Sequence, residues 1–251
     1  MKSVTNKYNK EVEDTLNRLC LKHNQEKTEK LKKYIGTDLN VLGIITKDQL
    51  SICKKGFSFY SEHREESFYT YHEIYKTSSC FEVKNLAFIY LEIHYKNIPL
   101  KTQLKLLPQW AKYVDNWAHS DTLSKYITRL VENKDTQQSI LSIIKKWNAS
   151  KNLWERRQSL IGLFYYSRTK KSHVEFELAK QLLLPLLNDK EYFVQKAVGW
   201  TLRECYNVYP KLTYQFIESQ LTHINPVAFT TSIEKMTEKE KTALKLKRKK
   251  Q

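Results

Sequence analysis

Scarcity of turn-making residues is the strongest constraint this chain carries. Its 251 residues include five glycines and five prolines, about a third of the usual combined share of roughly 12%. A β-sandwich or barrel needs a tight turn every 8–12 residues or so, and a Gly-rich phosphate loop needs closely spaced glycines. Both are disfavoured. Hydrophobic residues make up 41% of the chain and aromatics 12%, too much for a disordered polypeptide and enough for a sizeable core. Long helices joined by short polar loops remain.

The periodicity agrees. Residues 81–95 place Val83, Leu86, Ala87 and Tyr90 on one stripe at spacings of three and four. Residues 101–114 continue with Leu104, Leu107 and Trp110, and Pro108 is expected to break or restart that helix. Thr46 and Gln49 form a capping-box signal opening a helix through Ile52. Further helices are expected over about 121–131, 136–147, 152–167, 175–187, 192–209 and 211–221. Asn225-Pro226 supplies a cap and a first helical residue for one more. The expected fold class is all-α. Helix pairs of about 35–45 residues suit HEAT-like repeats stacked into a superhelix with a concave basic groove, although no fixed-period repeat is visible and a compact irregular bundle is the alternative. No Gly-, Ser- or Pro-rich linker divides the chain, so one domain over 1–239 is expected, followed by a disordered basic tail over 240–251.

No window approaches the roughly 20 apolar residues of a membrane span, and the N-terminal segment lacks a signal-peptide core. Cys20, Cys53, Cys80 and Cys205 form no metal or redox motif, and the seven histidines form no cluster at metal-ligand spacing. A reduced, cytoplasmic protein without a cofactor or bound metal is expected. The net charge is +16, and removing the five basic residues of 245–251 still leaves +11. A cationic body of that size favours nucleic acid over a merely solvated basic face. A membrane surface is a weaker partner, since no segment at a chain end pairs a basic face with a wide apolar one.

Three segments break local rules. Projected as a helix, 152–167 puts Leu153, Trp154, Leu160, Ile161 and Phe164 on one face with Arg157 in its middle, while Arg156 points to the polar side. A guanidinium on a packing face is expensive unless paired. Arg157 therefore either meets a structural partner or opens onto a cleft holding an acidic group or phosphate. Asp121 either caps a helix that begins there or, if that helix extends backwards, shares a face with Trp117. In 192–209, Val194, Ala197, Val198, Thr201 and Cys205 form the core stripe. Lys196, Trp200 and Arg203 lie together on another face, suited to phosphates and to a sugar or base, unless Trp200 is core and the cations are solvated. Gly199 in mid-helix implies close packing.

The segments DNWAHSD, WNASKNLWERR and FVQKAVGWTLRE, in this order, resemble the bacterial DNA alkylation repair family, the AlkD-type glycosylases built of HEAT-like repeats. YIGTDLNVLGIIT matches the family's N-terminal region, so the similarity covers about 34–236. The resemblance implies hydrolysis of the N-glycosidic bond of N3- and N7-alkylated purines in duplex DNA by a monofunctional enzyme that does not flip the lesion into a tight pocket. It implies Asp121 as the catalytic carboxylate, Arg157 as its charge partner, and Trp117 and Trp200 as walls around the damaged nucleotide. Tyr34 becomes a further aromatic lining residue and Arg203 a phosphate contact; Lys196 joins them from the helix projection. A monomer acting on the bacterial nucleoid follows. Where the family usually carries an acidic residue directly after the first Trp, this chain has Ala118. The alternative is a non-catalytic DNA-binding member for damaged or branched DNA.

Overall fold

A computed structural model describes residues 2–20, 25–170 and 172–250. Seven helices cover the first half: α1 (Lys2–Cys20), α2 (Gln25–Ile35), α3 (Thr46–Lys55), α4 (Arg64–Thr77), α5 (Phe81–His94), α6 (Leu100–Trp110) and α7 (Trp117–Glu132). Seven more follow: α8 (Lys134–Asn148), α9 (Leu153–Ile161), α10 (Phe176–Leu183), α11 (Tyr192–Val208), α12 (Pro210–Ser219), α13 (Pro226–Ser232) and α14 (Glu238–Lys249). The described residues form no β-strand; an isolated bridge joins Asn40 to Cys80. None of their helices is long and apolar enough to cross a membrane. The protein is all-α, and it divides into two compact units, 1–123 and 124–251.

In the first unit α5 is the central helix, packed against α1, α3 and α4. Its expected stripe of Val83, Leu86, Ala87 and Tyr90 is fully buried. Aromatic rings fill the space around it: Tyr75 stacks on Trp110 at 4.3 Å between centroids, and the Trp110 indole donates to His72 Nδ1 at 2.9 Å. Glu82 ties the loop before α3 to this helix. Only 1% exposed, its carboxylate accepts from the backbone N–H groups of Leu42 (2.9 Å), Gly43 (2.7 Å) and Ile44 (3.3 Å). Gly43 turns the chain there at φ 73°.

Two local expectations are corrected here. Thr46 is already helical and Ile45 occupies the cap position without a side-chain bond. Gln49 turns inward instead, donating to the Ile44 carbonyl at 2.6 Å, because burial on α5 outcompetes a capping box. Pro108 does not break its helix: α6 runs through it to Trp110 and tightens into a 3-10 turn over Ala111–Tyr113. The missing N–H removes one intrahelical bond, which the burial of Leu107 and Trp110 offsets.

In the second unit, α11 packs on α9 and on α13, while α8, α10 and α12 flank this row. Such alternation is what stacked helix pairs require. Asparagines start three of these helices: Asn133 for α8, Asn152 for α9, and Asn225, which accepts from Val227 N at 2.9 Å, for α13. The helix expected over 152–167 stops at Ile161, since Gly162 is the terminating position and Thr128 Oγ1 donates to its carbonyl at 2.8 Å. The tail expected to be disordered over 240–251 is helical through Lys249. Thr237 and Glu240 close a capping box, Leu244 is fully buried, and Arg248 lies 4.5 Å over the Phe229 ring. Leu244 is its apolar anchor, and Arg248 Nη2 turns inward to donate to the Ile224 carbonyl.

Gly199 sits where α11 meets α13. A Cβ built there would lie 2.5 Å from the Ala228 carbonyl oxygen and 2.6 Å from Thr231 Cβ. Overpacking of this kind costs about 1–3 kcal/mol, more than the ~1 kcal/mol that alanine gains in helix propensity. Gly199→Ala should therefore lower the urea midpoint of the second unit. An unchanged or raised midpoint would show that the two helices can separate without penalty.

Candidate nucleic-acid interface

Within the first unit, the end of α2 and the start of α7 meet. Asn116 caps α7, its Oδ1 accepting from His119 N at 2.8 Å. Asp121 therefore lies one turn inside the helix, and the capping alternative for it is excluded. Trp117 and Asp121, four residues apart, share a face, and both are partly exposed. Tyr34, 71% exposed, stands edge-on to Trp117, with ring centroids 5.4 Å apart at 88°. The Trp117 indole donates to the Tyr34 carbonyl at 3.0 Å.

A carboxylate that sequence reasoning missed holds this arrangement. Asp115 Oδ2 accepts from Thr37 Oγ1 (2.5 Å), Asp38 N (3.0 Å) and Leu39 N (3.3 Å). Its Oδ1 accepts from Asn116 Nδ2 at 2.6 Å. One side chain thus binds the turn following Tyr34 to the residue that caps α7. The only advance signal was an Asp directly before a capping Asn, which says nothing about a partner some 77 residues away. Beneath it, Lys84 is buried, donates to the Tyr113 carbonyl at 3.0 Å and lies 4.7 Å over the Tyr75 ring. Burial pulls its pKa down to about 8 against an opposing pull from Asp115. His119, stacked on Phe81 at 4.3 Å, is pushed down to about 3, chiefly by burial. It is a neutral acceptor at pH 7, consistent with Asn116 Nδ2 lying 3.1 Å from its Nδ1.

Within the second unit, Arg157 is only 7% exposed on α9, and its Nη1 donates to the Phe193 carbonyl at 2.8 Å where α9 packs on α11. Arg156, expected on the polar side, is instead mostly buried. Its Nε and Nη2 form a two-pronged bond to Asp189 at 2.7 and 3.2 Å, and Nη1 reaches the Ser150 and Lys151 carbonyls. Helix projection cannot find such a partner, because Asp189 lies in a loop 33 residues away. Trp154 is core, beside Phe193 at 5.0 Å.

On α11 the five residues of the expected core stripe are fully buried. Lys196, Trp200 and Arg203 are partly exposed on another face. The Arg203 guanidinium lies 5.8 Å from the Trp200 ring and pairs with Glu234 at 2.8 Å, while Lys196 Nζ donates to Thr231 Oγ1 at 3.1 Å. Tyr165 stands 6.3 Å from Trp200 between centroids. Among the described residues, no group of three or more His, Cys, Asp or Glu side chains could hold a metal ion.

Asp115→Ala would remove the acceptor of Asp38 N and Thr37 Oγ1 and one of two acceptors of Leu39 N and Asn116 Nδ2, which should cost about 2–3 kcal/mol in thermal unfolding. With the turn loosened, the Trp117 indole N–H resonance should move towards that of a solvent-exposed indole. An unmoved resonance would show that the turn holds without the carboxylate.

Among solved structures, the chain is similar to a predicted DNA alkylation repair enzyme from Enterococcus faecalis, with a TM-score of 0.65 and 17% identity, covering 86% of this chain and 97% of that one. At such identity the likeness establishes a shared fold. No curated protein matches the sequence. Residues 15–236 match the family model described as DNA alkylation repair enzyme, starting upstream of the resemblance visible from Tyr34 onward. With a match over most of its length, the chain belongs to the DNA alkylation repair enzyme family.

Proposed function

We propose that this protein is a monofunctional glycosylase that hydrolyses the N-glycosidic bond of N3- and N7-alkylated purines in duplex DNA. It acts as a cytoplasmic, nucleoid-associated monomer without a cofactor and does not flip the lesion into a tight pocket. The observation that carries the reading is Asp121 on α7: partly exposed, one turn after Trp117, and not engaged as the cap of its helix.

The chemistry suits these residue types. An N7-alkylated purine already bears positive charge, so it departs without a proton from a general acid. The sugar left behind has oxocarbenium character, which a carboxylate near C1′ stabilises electrostatically while it orients the attacking water. The indole faces of Trp117 and Trp200 attract cationic sugar or base. Arg157 is assigned the balancing positive charge, Lys196 and Arg203 contact phosphates, and Tyr34 extends the aromatic lining. No lysine acts as a nucleophile, so no strand nicking accompanies base release. Ala118, at a position usually acidic in the family, favours a second reading in which the same residues bind damaged or branched DNA without cleaving.

Duplex DNA carrying 7-methylguanine, incubated with wild type and with Asp121→Asn, separates these readings. Base release by wild type, reduced at least about a hundredfold in the variant, is expected. Equal release from both would defeat the role of Asp121; salt-sensitive binding with no release from either would favour the non-catalytic reading.

A further inference from the structure

The loop that follows α9 contains a backbone conformation that the fold alone does not explain. Tyr166 sits at φ 50°, the only non-glycine residue with positive φ among those described. L-residues with a large side chain rarely take this conformation, and where they do it marks a site that the surroundings hold in place. Those surroundings are visible. Ser167 is fastened to α11 by Glu204, whose Oε2 accepts from Ser167 N at 2.9 Å and from Ser167 Oγ at 2.6 Å. The Tyr166 carbonyl accepts from Thr169 N at 2.9 Å and from Thr169 Oγ1 at 2.8 Å. Glycine or asparagine would satisfy the same backbone bonds with less strain.

The ring does not repay the strain by burial, being 59% exposed. It stands edge-on to Tyr165 at 4.6 Å and 84°, and Tyr165 in turn lies beside Trp200, which has the Arg203 guanidinium near its ring. Glu204 also lies 3.6 Å from Arg203 Nε, so one buried carboxylate bears on both the loop and that arginine. Exposed aromatic faces beside a positioned guanidinium suit a polyanion that offers flat rings of its own, which among common partners means a nucleotide strand.

We infer that Tyr166 contacts the exposed face of a nucleotide where damage distorts the duplex, making it a damage-discriminating residue. The inference rests on the DNA reading above and extends it to a residue outside the recognised motifs. Intact duplex hides its base faces in the stack; a distorted step uncovers them, so an aromatic contact of this kind favours damaged over undamaged DNA.

The test uses the full chain and two duplexes, one undamaged and one containing a tetrahydrofuran abasic site. Tyr166→Gly, which relieves the backbone, should melt at or above the wild-type temperature yet bind the abasic duplex at least about fivefold more weakly, with undamaged duplex changed less than about twofold. Tyr166→Phe should bind as wild type. If the glycine variant does not fold, Tyr166→Asn, which also accepts left-handed φ, takes its place. Unchanged affinity for the abasic duplex, or equal loss on both duplexes, overturns the inference. Failure of wild type to bind either duplex would instead overturn the DNA reading on which it rests.

Discussion

Irregular segments between helices leave backbone N–H groups that must find partners, and here buried or half-buried carboxylates supply them. Glu82 gathers three N–H groups before α3, Asp115 gathers two beside α7, and Glu204 takes that of Ser167. Bonds to a charged acceptor are roughly twice as strong as neutral ones, and an unpaired N–H away from water is costly. Glu82 and Glu204 each anchor an irregular segment to a rigid helix, and Asp115, just before α7, ties the turn after α2 to the cap of that helix. Exposed tyrosines adjoin two of those segments and neighbour partly exposed tryptophans: Tyr34, in the last turn of α2, beside Trp117 in one unit, and Tyr166 near Trp200 in the other. In each unit a carboxylate thus fixes the backbone next to an exposed tyrosine.

Local periodicity made the helices legible. The stripe of α5 and that of α11 are buried as the spacing predicts, and Asn225-Pro226 starts α13 as its chemistry requires. Competition between local and tertiary terms was not legible. Gln49 had a capping partner in sequence and chose the core; Pro108 had a local reason to end α6 and did not, because the residues around it were already buried. The end of α9 depended on how Gly162 meets Ile127, whose Cγ2 lies 2.8 Å from where a Cβ would stand. The last helix looked like a solvated basic run, and its docking hinges on Leu244 and Arg248.

Candidate residues show the same division. Trp117 and Asp121 share a helical face as four-residue spacing dictates, and the structure removes the capping alternative. Lys196, Trp200 and Arg203 share theirs. The bonds that fix the neighbouring loops, from Asp115 to residues 37–39 and from Glu204 to Ser167, are long-range pairings that no projection reveals. Overall charge was also an incomplete guide. Arg156 pairs with Asp189, Lys170 with Glu132, and Lys84 is buried against a carbonyl, so some of the 43 lysines and arginines are committed within the fold. What faces a polyanion is smaller and more localised than the count of lysines and arginines implies.

Hydrogen exchange at single amides tests the anchoring account most directly. If carboxylates hold these loops, the N–H groups of Leu42, Gly43, Asp38 and Ser167 should exchange as slowly as those of neighbouring helix interiors, although none of them belongs to an α-helix. Exchange at the rate of free peptide would mean that the loops open readily, and that the aromatic rings beside them are not held in place.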